Sequence, residues 1–274
     1  MIYKNSIIPI KASFAVYSLA FGEIFQISYM IFFSSINKQN IIPSFKRHFI
    51  ESKNEIKPLL NISIPLTLSR LVGSITYFFE PIVFTRIMLN NGSTLQNLTI
   101  EYGILSSYVM PLLFMPSFIS VAFGNYLLPN MGKLVSSSKH KEAFNLLLRI
   151  TLICLFIGLF ISLFFLIFGK FLLQLLYDTT LGLDYLKVLC FPFIIYYIET
   201  PIISSLNIYD LSKKSFISTL VSSFIRLILM VPFVKYFGVL GISFATLSGV
   251  IIDISLNLFF LFSFFKRNKI KIIN

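Results

Sequence analysis

Among the polar side chains that stand inside apolar runs of this 274-residue sequence, six could do chemistry: Arg70, Glu80, Asn125, Glu199, Arg226 and Asp253. A charge at mid-bilayer costs roughly 2.5–3.5 kcal/mol on insertion scales, so it normally faces a bundle interior or a wet cavity. Arg70, deep in its run, fits a cavity wall that holds a diphosphate, because a planar guanidinium makes two parallel hydrogen bonds to such a group. Arg86 lies near the end of the same run and fits an interfacial anchor. Glu80 directly precedes Pro81, and two roles are open to it: pairing with an arginine or an ion, or satisfying groups freed at a helix bend. Glu199, two residues before Pro201, is either lumen-facing or tied into local hydrogen bonding. Arg226 and Asp253 flank a shared turn at depths that differ by roughly 6 Å, at 1.5 Å per residue, which predicts an ion pair between the last two helices. Asn125 suits interhelical hydrogen bonding better than ligand binding.

Little else in the chain could do covalent chemistry. There is no Gly-rich loop ending in Gly-Lys-Ser/Thr, no His-Glu-x-x-His, and no Ser/His/Asp set. His48 and His140 both lie in basic loops, and Cys154 and Cys190 lie in apolar runs as small buried hydrophobes, so neither a metal cluster nor a cofactor is implied. An enzyme is not expected.

These residues need an apolar scaffold to hold them. The chain is 56% hydrophobic and only 12% charged, against about 25% charged in a soluble domain, and its mean hydropathy is +0.85. The apolar runs are continuous and do not alternate with period two, which predicts an all-α polytopic membrane protein and not a barrel. Seven segments qualify as spans: about 12–36, 58–89, 102–130, 150–169, 188–209, 215–234 and 239–265. Glu23 interrupts the first. Pro65 and Pro81 predict a kinked second span. Pro111, Pro116 and Pro129 punctuate the third, and 90–99 reads as a turn-rich loop. In the last span Gly241, Ala245 and Gly249 recur every fourth residue, a stripe for close helix approach.

The net charge of +12 does not point to nucleic acid, because the cations sit in short loops where they set topology. Fifteen lysines and arginines fall on one side, in the loops 37–57, 131–149 and 210–214 and in the tail 266–274; Lys4, Lys11, Lys170, Lys187 and Lys235 fall on the other. That asymmetry predicts a cytoplasmic C-terminus and an N-terminus outside. The simplest account of such a start is that residues 1–36 end in the last helix of a missing N-terminal lobe. The richness in Ile, Asn, Lys and Phe and the lack of Trp fit an AT-rich bacterial genome, hence a bacterial plasma membrane.

Three stretches then carry a resemblance: IPLTLSRLVGSITYFFEPIVFTRIM (64–88), YGILSSYVMPLLFMPSFISVAFGNYLLPNMGKLVSS (102–137) and FGVLGISFATLSGVIID (237–253). In order and spacing they resemble the C-terminal half of stage V sporulation protein B-type exporters. That group lies in the multidrug/oligosaccharidyl-lipid/polysaccharide (MOP) superfamily. The resemblance implies two six-helix lobes about a central cavity that alternates its access. Residues 58–265 would then be the second lobe, 12–36 the sixth helix of the first, 37–57 a cytoplasmic linker and 266–274 a basic cytoplasmic tail. It implies a flippase for a lipid-linked saccharide, such as a peptidoglycan or polysaccharide precursor, with Arg70, Glu80, Asn125, Glu199, Arg226 and Asp253 as binding residues. The expected partners are that substrate, the bilayer and a separate N-terminal lobe. Two other readings stay open. A cation-coupled multidrug exporter would rely on Glu80, Glu199 and Asp253. A non-transporting scaffold would only partner a separate first lobe.

Overall fold

The computed structural model describes residues 12–36, 53–268 and 270. The expected linker lies outside them as far as residue 52, as do residues 1–11 and 271–274. The described elements are helices: α1 (Ala12–Ile36), α2 (Lys53–Asn90), α3 (Leu95–Ile104), α4 (Met110–Phe114), α5 (Ser117–Ser136), α6 (His140–Tyr177), α7 (Leu183–Leu189), α8 (Ile194–Ile208), α9 (Ser212–Phe237) and α10 (Leu240–Arg267). Contacts divide the chain into Met1–Leu59 and Leu60–Asn274. In the first unit α1 is 25 residues long, and Glu23 is exposed among exposed apolar neighbours.

In the second unit, four helices are long and apolar enough to cross a membrane unbroken: α2 from Leu60, α6, α9 and α10. Two bent pairs each make a further span: α3–α4 with α5, bent by 42°, and α7 with α8, bent by 51°. The third and fifth expected spans are therefore broken ones. The second is the reverse case, running as helix through Pro65 and Pro81 without interruption. The turn before the third span is also shorter than expected, since α3 already begins at Leu95.

Proline chemistry explains the breaks. Pro111 cannot donate to the carbonyl four residues back, and a wide π-type turn, Leu105–Val109, precedes it between α3 and α4. Pro116 and Pro192 stand in the two bends. A broken helix leaves carbonyls that hydrocarbon cannot hydrate, so other helices must supply donors. The Tyr197 hydroxyl of α8 donates to the Leu113 carbonyl at 2.8 Å, and Ser162 of α6 donates to the Cys190 carbonyl at 2.7 Å. The two bends are thus locked by their neighbours.

Helix α8 sits at the centre and packs against α5, α6, α9 and α10, while α9 and α10 form the tightest pair. The small-residue stripe works as expected. A Cβ on Gly241 would lie 2.3 Å from the Phe233 carbonyl carbon, and one on Gly249 would lie 3.1 Å from Cβ of Arg226. Two apolar clusters fill the unit. One gathers Phe84, Leu113, Phe165, Leu186, Phe193 and Val234; the other gathers Leu127, Met131, Leu147, Leu206, Leu261 and Phe265.

Candidate functional site

Polar residues on four helices share one face each. On α9, Thr219, Ser222 and Arg226 recur at i, i+3 and i+7; on α10, Thr246, Gly249, Asp253 and Asn257 do the same with one turn more. Helix α2 turns Gly73, Tyr77 and Glu80 toward them, and α8 brings Tyr196 and Glu199. Apart from Glu80 and Asn257, these residues line a polar cavity of about 150 Å³.

At its edge the Arg226 guanidinium donates through Nη2 to Oε1 of Glu80. Its carbon lies 4.7 Å from the centre of the Tyr77 ring, a cation–π contact. Thr246 Oγ1 is 3.4 Å from the same Glu80 oxygen and donates to the Ile242 carbonyl at 2.9 Å. Both ends of the pair are nearly shut off from the surface, Glu80 at 4% and Arg226 at 9% exposure. A buried pair of this kind is weak evidence of net stability, but removing one partner strands a charge. The Arg226 Nε is left without a partner.

Asp253 occupies a different environment. Asn257 donates to its Oδ2 at 2.8 Å, and the Ser222 hydroxyl lies 3.3 Å from Oδ1. Those are neutral partners. Glu199 lines the same cavity half-buried, with no ion pair among the described residues. The cavity therefore holds one cation, already matched by Glu80, and two further carboxyl groups: Asp253, held by a hydroxyl and an amide, and Glu199, with no side-chain partner among the described residues.

The structure thus brings Glu80, Glu199, Arg226 and Asp253 together. Arg70 and Asn125 are exposed and line neither this cavity nor the one adjoining it. The ion pair expected between Arg226 and Asp253 is replaced: Arg226 pairs with Glu80, because α2 delivers a carboxylate to the guanidinium and Ser222 and Asn257 already occupy Asp253. Arg86 is exposed, in keeping with an anchor. Sequence reasoning passed over Tyr77, Thr219, Ser222, Thr246 and Asn257. The signal was present in helical spacing: Tyr77 from Glu80, Thr219 and Ser222 from Arg226, and Thr246 and Asn257 from Asp253.

Parts of three solved structures share this fold. An outward-facing multidrug resistance MATE family transporter of the MOP superfamily superposes with a TM-score of 0.61 at 16% identity, over 75% of this chain and 45% of that one. A MOP superfamily transporter from Pyrococcus furiosus Vc1 (DSM3638), described as having a binding pocket of reverse polarity, gives 0.60 at 17% identity, over 75% and 44%. A MATE in complex with Br-NRF gives 0.57 at 17%, over 79% and 49%. In sequence, the chain is 25% identical over 251 residues to Stage V sporulation protein B of Bacillus subtilis (strain 168), which is 89% of this chain and 48% of that protein. The chain thus spans about half the length of the curated relative it matches. No known family profile matches it. The resemblance to stage V sporulation protein B-type MOP exporters stands, as does the reading as a multi-pass bacterial membrane protein.

Proposed function

We propose that this chain supplies one lobe of a flippase that carries a lipid-linked saccharide across the bilayer by alternating access, against a first lobe that completes the path. The observation that supports this reading is the polar cavity walled by Glu199, Arg226 and Asp253 in an otherwise apolar bundle. Such a cavity offers a headgroup hydroxyls and charges while its lipid tail remains in hydrocarbon, and repeat-built transporters bind cargo between their halves. Arg70 precedes Gly73 and Tyr77 by three and seven residues, so it follows their face of α2. In this reading it meets the diphosphate at the cavity mouth.

One observation favours a second reading, a cation-coupled multidrug exporter. Glu80 matches Arg226, so Glu199 and Asp253 remain as two acidic groups with no cation of the protein's own beside them among the described residues. A single pair of assays separates the two. Vesicles holding the chain with its first-lobe partner are scored for flipping of a fluorescent lipid-linked saccharide and for efflux of a cationic dye. The flippase reading expects Arg70→Ala and Glu199→Gln each to slow flipping about tenfold, a loss of about 1.4 kcal/mol at the transition state. Unchanged flipping together with lost dye efflux in Glu199→Gln would transfer the assignment to the exporter.

A further inference from the structure

A second cavity adjoins the polar one across the Glu80–Arg226 pair. It measures about 210 Å³, and its wall includes Tyr77, Glu80, Tyr102, Ser106, Met110 and Phe114. The wide turn at Leu105–Val109 helps to open it, since that turn carries Leu105 and Ser106 into the wall and Met110 follows directly. Single π-type turns inside α-helices recur at functional sites. Tyr77 borders both cavities.

We propose that this aromatic cavity is a binding subsite for an uncharged ring that carries hydroxyl or amide N–H donors, a group the size of one sugar. Size comes first. An apolar cavity of about 150 Å³ takes benzene, so a slightly larger one takes a single substituted ring. Charge comes second. Glu80 is already neutralised by Arg226, so an entering cation or anion finds no net counter-charge in a low-dielectric wall. Polarity comes third. Both bonds to Glu80 fall on Oε1, and among the described residues Oε2 has no partner. Ser106 adds a hydroxyl. A ring without donors would desolvate these acceptors unpaired, at about 1–3 kcal/mol each, whereas a hydroxylated ring satisfies them. Its apolar face meanwhile lies against Tyr77, Tyr102 and Phe114, which is the mix of apolar wall and few polar groups that small-molecule sites use.

The subsite deepens the flippase reading by naming where a neutral sugar of the cargo sits, and its test stands apart from that reading. A Ser106→Cys chain in lipid nanodiscs reports the cavity through its rate of modification by N-ethylmaleimide. The native Cys154 and Cys190 are buried, and the chain with native Ser106 gives their background. Four ring-sized probes are compared: methyl glucoside, cyclohexylammonium, cyclohexanecarboxylate and toluene. Methyl glucoside should slow modification about tenfold when held at roughly ten times its dissociation constant, and the other three should not. Tyr102→Leu should abolish the protection, and Phe114→Leu is the second variant should Tyr102→Leu fail to fold. Equal protection by a charged ring, equal protection by toluene, or none by the glucoside overturns the subsite. If the glucoside protects and a lipid-linked saccharide does not compete with it, the subsite stands and the cargo assignment falls.

Discussion

Helices α2 and α10 both span the membrane and both carry a buried acid, yet the protein holds them differently. Helix α10 packs along α8 and α9, close enough that Gly241 touches the α9 backbone, and its Asp253 is held by Ser222 and Asn257. Among its described residues helix α2 buries Pro65 and then a narrow line, Thr76, Glu80 and Phe84, four residues apart. Its polar tie is a charge pair to Arg226, 146 residues away in sequence. Packing thus dominates at α10, whereas α2 adds an electrostatic tie to the packing of Phe84.

The contrast is broken most severely at its charge. Glu80→Gln leaves Arg226 buried without a counter-ion, which costs about 3–5 kcal/mol. The chain should unfold at lower temperature in detergent, read by a thiol-reactive dye that reaches Cys154 and Cys190 only on unfolding. Glu80→Gln with Arg226→Met should recover most of that loss, since no lone charge remains. A double variant as unstable as the single one would mean that α2 is held by packing after all. Next in size is Gly241→Ala on the fixed side. A methyl there meets the Phe233 carbonyl, so α9 and α10 must part, at about 1–3 kcal/mol. The same dye assay reads it, and an unchanged melting temperature would show the stripe to be slack. Smaller again is Tyr197→Phe, which strips the Leu113 carbonyl of its donor at the first bend for about 1–2 kcal/mol. Full stability there would show that another group satisfies the carbonyl.

Much of this was legible in the residues. Continuous apolar runs located the four unbroken and two bent spans that follow residue 59, because span length follows from the bilayer's own dimensions. The Gly241–Ala245–Gly249 stripe pointed to the tight pair for the same local reason. The partner of Arg226 was not legible. Depth along two helices that share a turn made Asp253 the nearer choice, but pairing depends on the direction each side chain faces, and α2 joins α9 from far along the chain. The bends escaped for a related cause. Pro65 and Pro81 leave α2 continuous, while Pro116 and Pro192 stand at breaks, and the difference lies in donors such as Tyr197 and Ser162 on other helices. Arg70 shows the limit most plainly, since an apolar run reveals that a charge is costly there but not that it stays exposed and outside both cavity walls.

The smallest effect sharpens the comparison best, because it asks the same substitution of the other helix. Gly73 of α2 borders the polar cavity, yet a Cβ built there meets no atom within 4 Å. Gly73→Ala therefore adds a methyl to open space and removes a flexible residue from a helix interior. Alanine is favoured there by up to about 1 kcal/mol, so melting should stay level or rise slightly. The same glycine-to-alanine change thus has opposite signs on α2 and α10, from neutral or stabilising at Gly73 to destabilising at Gly241. Should Gly73→Ala lower the melting temperature as Gly241→Ala does, a neighbour must press on α2 at that depth, and the helix would be packed and not merely tethered by Glu80.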